Sequence, residues 1–176
     1  MIGLGTQDAL INVYIEHTPP LPQYQSLSSI NPIKSKDIYH IAELTGNHWR
    51  KIFNVYAKLI FELDNTHFQS WQQLRDDYLL QENSNYNLVF SEPVREELSP
   101  QQIHIVMGKT YATRLGFADC TYWVKPYLSI NEQENIIVCP YFDYRQLSDI
   151  KIKELAALIK PLRHLALRIP AKQICA

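Results

Sequence analysis

The sequence predicts an α/β fold, a three-layer α/β/α arrangement around a short, mostly parallel sheet. The segments IHIVM (103–107) and NIIVC (135–139) have the near-continuous hydrophobicity of strands that are buried on both faces. Both are followed by a helical segment, and alternating strands and helices are typical of parallel sheets. A chain of 176 residues fits a single core, so we interpret residues 1–176 as a single α/β domain.

The remaining elements follow from hydrophobic periodicity and from residues that begin or break helices. Three prolines, Pro19, Pro20 and Pro22, end the first strand and predict an extended loop to about residue 35. The other predicted strands are 86–90 and 122–130, in addition to the first strand, 10–16, and the two named above. Helices are expected at 36–45, after a capping Asn47, from about Thr66, at 110–115 and after a capping Ser148, and a single helical turn at 93–98.

The helix after Asn47 has the clearest pattern. Its apolar residues recur at the spacing of one helix face, which predicts that they pack into the core: Trp49, Ile52, Phe53, Tyr56, Ile60 and Leu63. The last helix has a similar stripe that ends at Leu165, and Pro161 is expected to kink or restart it.

Composition excludes several classes of protein. Apolar residues make up 46% and charged residues 20% of the chain, which is ordinary for a protein that buries a core. The three cysteines are scattered, so neither a disulfide framework nor a zinc ribbon is expected. No apolar run is long enough to span a bilayer, and the first residues lack the features of a secretory leader. We therefore expect a cytoplasmic protein with no membrane partner and no cofactor.

Charge is unevenly distributed along the chain. The segment from Arg145 to Ala176 has seven Lys or Arg and two acidic residues, whereas the rest has ten basic and sixteen acidic residues. A basic segment on an acidic body can contact phosphates. The alternative is that these side chains form the solvated face of the last helix.

Ligands of open α/β sheets gather where the parallel strands end, and this rule selects three segments. They are residues 16–20, 108–110 and 139–145. Gly108-Lys109-Thr110 is not a phosphate-binding P-loop, because the position of that motif's first glycine is Ile103, inside a strand. Gly108 is instead expected to form a tight turn between strand and helix.

His17 and Cys139 are the candidates for catalysis. Cys139 ends a strand shortly before a helix begins, a position that favours a thiolate, and His17 would be its base. The alternatives are a small core cysteine and a surface histidine. The six histidines show no close-spaced set of metal ligands, so no metal site is predicted.

The loop Pro140-Tyr141-Phe142-Asp143-Tyr144-Arg145 has the most unusual composition in the chain. Aromatic rings stack on bases and arginine contacts phosphate, as in proteins that bind single-stranded nucleic acid. Tyrosine and arginine are also enriched at protein interfaces. In a third interpretation the aromatic residues fold inward as a hydrophobic plug.

The layout of the chain resembles the uracil-DNA glycosylase superfamily. Residues 13–20 (VYIEHTPP) stand where that family has a proline-containing motif after its first strand, and residues 136–141 (IIVCPY) stand where it has a His-Pro-Ser-Pro motif after its last. Between them, residues 103–115 are similar to its internal strand-glycine-helix unit. Cys139 occupies the place of the family's histidine, and Thr18 the place where several members have Asn or Asp.

The resemblance implies a degenerate glycosylase-like site that binds nucleic acid or nucleotides, formed by Glu16, His17, Thr18, Cys139, Tyr141, Asp143 and Arg145. Two other functions remain open from sequence: a protein-interaction or structural protein, and a small-molecule hydrolase or transferase that uses Cys139 and His17. An uncharacterised bacterial family without an assigned chemistry is the alternative to the resemblance, and catalysis itself is left undecided.

Overall fold

A computed structural model describes residues 1–64 and 67–166. Its strands are β1 (Gly3–Leu4), β2 (Ile11–Tyr14), β3 (Ile30–Asn31), β4 (Tyr86–Val89), β5 (Ile103–Met107), β6 (Tyr122–Lys125), β7 (Leu128–Asn131) and β8 (Ile136–Cys139). Its helices are α1 (Pro22–Gln25), α2 (Asp37–Thr45), α3 (Asn47–Leu63), α4 (Trp71–Asp77), α5 (Lys109–Arg114) and α6 (Asp149–Ala166), with a 3₁₀ turn at Arg95–Glu97.

The eight strands form one mixed sheet in the order β3-β1-β4-β2-β5-β8-β7-β6. Strands β4, β2, β5 and β8 are parallel to one another, and β6 and β7 add an antiparallel margin beside β8. In the parallel part Tyr14 pairs with Val106, and Met107 pairs with Cys139. The predicted α/β fold with a mostly parallel sheet is confirmed.

Both faces of the sheet are covered, but unequally. On one face β2, β5 and β8 pack against α2, α3, α4 and α6 in a large core. All six residues of the predicted α3 stripe are buried in it. The other face has a smaller core, to which α5 contributes Tyr111 and Ala112. The apolar strands are buried on both sides, as their sequences predicted.

The thinly covered face has a row of buried polar side chains. Asn87 on β4 donates through Nδ2 to Oδ1 of Asn12 on β2 at 2.8 Å, and accepts from the backbone N–H of Thr6 at 2.8 Å. The Tyr14 hydroxyl lies 3.0 Å from Nδ1 of His104 on β5, whose Nε2 lies 2.9 Å from the carbonyl oxygen of Ser99. Because a carbonyl only accepts, Nε2 carries the proton and Tyr14 donates to Nδ1.

One predicted strand is wrong in its extent. Residues 122–130 form the hairpin β6–β7 rather than one strand, and Pro126 and Tyr127 lie in its turn. Proline has no N–H to donate to a ladder, so a strand through Pro126 is disfavoured. The predicted loop before residue 35 also contains α1 and the two-residue strand β3.

Two helix predictions also need correction. Asn47 is the first residue of α3 rather than its cap, because Gly46 takes that position. The helix expected from about Thr66 begins at Trp71, where the Ser70 hydroxyl caps it by accepting from the N–H of Gln73. Pro161 does not restart the last helix, since α6 continues through it to Ala166; the expected kink stays a prediction. The side chain of Leu165 lies outside the described residues, as do Arg168, Lys172 and Cys175.

In the described part of the chain, no helix is both long enough and apolar enough to cross a membrane.

We predict that the protein loses stability as the pH falls below the pKa of a free imidazole side chain. Burial lowers the pKa of His104 from 6.5, against the opposing effect of its hydrogen bond to Ser99. The unfolded chain therefore binds the proton more readily, and the free energy of unfolding should fall between pH ~7.5 and pH ~5.5. Urea unfolding at several pH values measures this. The dependence should weaken in His104→Gln and persist in the exposed control His40→Gln; stability that is constant or rises on acidification would contradict a neutral, buried His104.

Candidate functional site

The three segments selected from sequence lie at one end of the sheet. Strands β2, β5 and β8 are adjacent and parallel, so residues 16–20, 108–110 and 139–145 lie on the same side of the sheet, with Cys139 still the last residue of β8. We call this side the carboxyl end of the sheet, and the opposite side the amino end. The topology thus brings the predicted segments together, as an open parallel sheet requires.

An arginine connects the ends of two strands there. Arg114, at the end of α5, contacts Oε1 of Glu92, which follows β4, at 2.7 Å, and Oε1 of Glu16, which follows β2, at 3.2 Å. The Tyr111 hydroxyl is buried one helical turn earlier, and no described residue is its hydrogen-bond partner. Burial and the charge of Glu92 raise the pKa of Tyr111 to about 12. This phenol remains protonated, so it can donate a hydrogen bond.

A histidine from another layer joins the loop after β8. The Tyr141 hydroxyl lies 3.0 Å from Nε2 of His48, and the two rings stack with their centroids 5.6 Å apart. Burial, followed by the nearby charges of His17 and Lys51, lowers the pKa of His48. Burial, Glu16 and Asp143 raise the pKa of Tyr141 to about 12. The pair is therefore uncharged at neutral pH.

His48 is a site residue that the sequence interpretation missed. It lies in the first turn of α3, next to Asn47, and its environment depends on α3 packing beside the end of β8. The only signal in the sequence was a histidine at a helix start. Nothing in the spacing links it to Tyr141, because 93 positions separate the two residues.

Asp143 anchors the loop after β8. Its carboxylate accepts from Nη2 of Arg145 at 3.1 Å, from the Arg145 backbone N–H at 2.9 Å and from Nζ of Lys51 at 3.0 Å. These bonds, first of all the one from the Arg145 side chain, hold the pKa of Asp143 well below its usual range. Asp143 is thus permanently charged and positions two cations, rather than serving as a free ligand group.

The sequence left three interpretations of the loop 140–145 open: nucleic-acid contact, protein contact and a hydrophobic plug. Each of them fits different side chains of the loop. Phe142 is fully buried against Tyr56, so it is the hydrophobic plug. Tyr144 and Arg145 are exposed, as contact with nucleic acid or with a protein requires. Tyr141 is half-buried between these extremes. The loop is anchored by the buried Phe142 and the largely buried Asp143, and it exposes Tyr144 and Arg145.

Gly108 forms the predicted turn between β5 and α5. Its φ of +99° lies in a region that side chains disfavour, and its N–H donates to the Cys139 carbonyl at 2.9 Å. A side chain there would meet Tyr141 and Tyr111 only at ordinary contact distances. The glycine is therefore required by backbone conformation and not by crowding.

Cys139 does not belong to the exposed site. Its side chain is only 1% exposed and packs in the large core beneath α3 and α6. Burial raises the pKa of the thiol, so the thiolate that a nucleophile needs is disfavoured. Cys139 is therefore a core residue, as one sequence interpretation held, and cannot contact a surface ligand without rearrangement.

Glu16 and His17 extend into solvent after β2, with the carboxylate and imidazole 3.9 Å apart at closest approach. Thr18 is half-buried and Pro19 is buried. This segment therefore contributes accessible side chains at Glu16 and His17, while Pro19 fixes the path of the chain.

The described part of the basic C-terminal segment leads away from this site. Helix α6 begins after the loop, and Arg163 near its end contacts the Leu63 carbonyl oxygen at 3.2 Å. Arg163 also lines a cavity with Asn85 and Tyr86, at the start of β4 and hence at the amino end. The sequence left open whether this segment flanks the site, and the described end of α6 lies away from it. Arg145, the first residue of that segment, does lie at the carboxyl end, and the other cations there are Lys51, Lys109 and Arg114.

Within the described ranges, no cluster of three or more His, Cys, Asp or Glu side chains is arranged to hold a metal ion. The groups that gather at the carboxyl end are two arginines, two lysines, paired carboxylates and a stacked Tyr–His pair. This set can bind an anion and stack on a planar ring.

Comparison with known proteins places the chain in a family. Residues 2–160 match the model of the family of unknown function DUF6942, so the chain belongs to that family. Searches of curated proteins and of solved structures gave no significant match. The resemblance to uracil-DNA glycosylases therefore continues to depend on the motif positions and on their convergence.

We predict that Cys139 resists alkylation in the native protein. Treatment with N-ethylmaleimide followed by peptide mass mapping should leave Cys139 unmodified in buffer and modified in denaturant, because the thiol is buried and protonated. Cys120, which is half-buried, is the internal comparison. Rapid native labelling of Cys139 would contradict the assignment and would revive a catalytic thiol.

Proposed function

We propose that this protein binds nucleic acid or nucleotides at the carboxyl end of its sheet, in a degenerate glycosylase-like site. The observation that carries the proposal is the convergence of residues 16–20, Gly108 and the loop 140–145 at one end of adjacent parallel strands. These segments were selected by the strand-end rule, and they overlap the residues on which the glycosylase resemblance depends, 13–20, 103–115 and 136–141. A shared site requires the three to lie close together.

The chemistry of the residues supports the same function. Arg145 is 70% exposed at its side chain, and its carboxylate partner Asp143 also binds Lys51, so Arg145 can engage a phosphate while Asp143 stays paired. The stacked pair of Tyr141 and His48 offers an aromatic surface for a base. The charge of Glu16 contributes to the raised pKa of Tyr141, so the first and last segments interact electrostatically, which supports a shared site.

The family histidine has no direct counterpart here, because Cys139 is buried at its position. We therefore propose binding without ordinary base excision. His48, supplied by α3, is the histidine that lies next to the loop.

We predict that the protein binds labelled oligonucleotides and that affinity falls linearly with the logarithm of salt concentration. Fluorescence anisotropy with single-stranded, double-stranded and uracil-containing DNA measures this. Arg145→Ala and Tyr141→Ala should each weaken binding by about five- to tenfold or more, from loss of a phosphate contact and of a stacking surface.

Arg95→Ala is the matched control, since it removes an arginine that is also paired with a carboxylate, Glu134, but at the amino end of the sheet. Its affinity should equal that of the wild type. Absence of binding at low salt, or equal loss in all three variants, would refute the proposal. An abasic-site assay on the uracil substrate should show no cleavable product.

A second candidate function is protein interaction through the edge strand β6 of the sheet. Strand β6 is the last strand on its side, and Tyr122, Trp123 and Val124 are exposed along it. An exposed strand with apolar side chains is a template for pairing with another chain.

If β6 pairs with a second copy, light scattering coupled to size-exclusion chromatography should show a mass that rises with protein concentration. Val124→Lys should suppress this rise, because a charge on an edge strand disfavours pairing. The exposed control Ile150→Lys on α6 should not. A constant monomer mass over the full concentration range would remove this candidate.

A further inference from the structure

A groove runs beside the polar face of α3, on the side of the molecule with the thick helical layer. It has a volume of about 330 Å³ and lies between α3, Trp71 at the start of α4 and Tyr144 in the loop after β8. Arg50, Asn54 and Lys58 recur every four residues, so they lie on one face of α3. Lys51 also lines the groove. We call it the α3 groove.

Cations and aromatic rings are interleaved around the α3 groove. Lys51 lies 5.0 Å from the centroid of the Tyr144 ring, and Lys58 and Arg75 each lie 5.5 Å from that of the Trp71 ring. Tyr144 is 58% exposed and Trp71 is half-buried, so both rings are accessible from the groove. Such an arrangement offers stacking surfaces beside positive charge.

The charge of the groove is only partly neutralised. Among the described residues that line it, three are cations and none is Asp or Glu. Lys51 and Lys58 have carboxylate partners outside the lining, Asp143 and Asp149. Arg50 makes no ion pair with any described residue, and its hydrogen-bond partner is the Asn47 side chain, at 3.5 Å. Arg50 is therefore the group most available to an incoming anion.

We propose that the α3 groove binds one nucleotide unit, with its phosphate on Arg50 and its base against Tyr144 or Trp71. This inference rests on the proposed function and extends it, because Lys51 and Tyr144 connect the groove to the loop anchored by Asp143. A single-stranded nucleic acid that crosses the carboxyl end of the sheet would continue into the groove. The volume is within the range of small-ligand sites, which begins at about 300 Å³.

The test compares the binding of free nucleotides with the binding of a single-stranded oligonucleotide. Calorimetric titrations use AMP, UMP, ribose 5-phosphate and inorganic phosphate, and anisotropy uses a labelled single-stranded oligonucleotide. Arg50→Ala and Tyr144→Ala are the groove variants, both at exposed positions, and Tyr141→Ala represents the carboxyl end of the sheet. Arg95→Ala is again the matched control.

We expect the groove variants to weaken oligonucleotide binding by about five- to tenfold and Arg95→Ala to leave it unchanged. Binding of AMP or UMP that exceeds that of ribose 5-phosphate and depends on Arg50 identifies a free nucleotide as a sufficient ligand. If Arg50→Ala weakens the binding of the oligonucleotide but not of the free nucleotides, the groove binds a nucleotide unit of a nucleic-acid strand. Either result supports the groove.

Failure of the groove and failure of the proposed function give different results. Oligonucleotide binding that is lost in Tyr141→Ala but intact in Arg50→Ala and Tyr144→Ala overturns the groove alone. Oligonucleotide binding that depends on Arg50 but not on Tyr141 or Arg145 supports the groove and removes the site at the carboxyl end. Displacement of the oligonucleotide by a polyglutamate peptide as readily as by an unlabelled oligonucleotide would overturn the nucleotide assignment, because a general anion surface would explain it.

Discussion

The parallel pairing of β2, β5 and β8 is the constraint on which the rest of this molecule depends. Parallel neighbours must begin at one end of the sheet and finish at the other, so every loop that follows them emerges on the same side. This geometry alone brings together segments that are separated by almost the whole length of the chain. It also requires cover on both faces, which α3 and α6 supply on one side and α5 on the other.

The loop after β8 shows how such an arrangement combines rigidity with exposure. Phe142 is buried beneath the loop, and Asp143 binds Lys51 of the helical layer. With these two residues fixed, the backbone of the loop is anchored, and Tyr144 and Arg145 are exposed beside Lys51 and Asp143. Side chains held this way lose less conformational entropy when a ligand binds. The same contacts with α3 join this loop to the polar face of that helix, so the surface is built from two layers rather than from strand ends alone.

Local patterns predicted the elements, but not the contacts between distant ones. The core stripe of α3 and the strands β5 and β8 followed from spacing and hydrophobicity, because burial requires those patterns. The β6–β7 hairpin was missed although Pro126 marked its turn. The burial of Cys139 depends on which face of β8 meets the thick layer, and a continuous apolar run does not specify that face. His48 was missed for a similar reason: its role arises only when α3 packs beside Tyr141.

The row of polar side chains on the thin face has a consequence for how the sheet assembles. The Asn87–Asn12 and Tyr14–His104 hydrogen bonds form only in the observed alignment of β4, β2 and β5, although Nδ2 of Asn12 has no hydrogen-bond partner among the described residues. Strands with apolar residues on both faces could slide past one another at little hydrophobic cost. A shift by one residue would turn these polar groups toward the thick helical layer and separate them from their partners, at a cost of several kcal/mol in unmet hydrogen bonds. A few amides, a phenol and an imidazole thus select one alignment among strands that hydrophobicity alone would leave nearly equivalent.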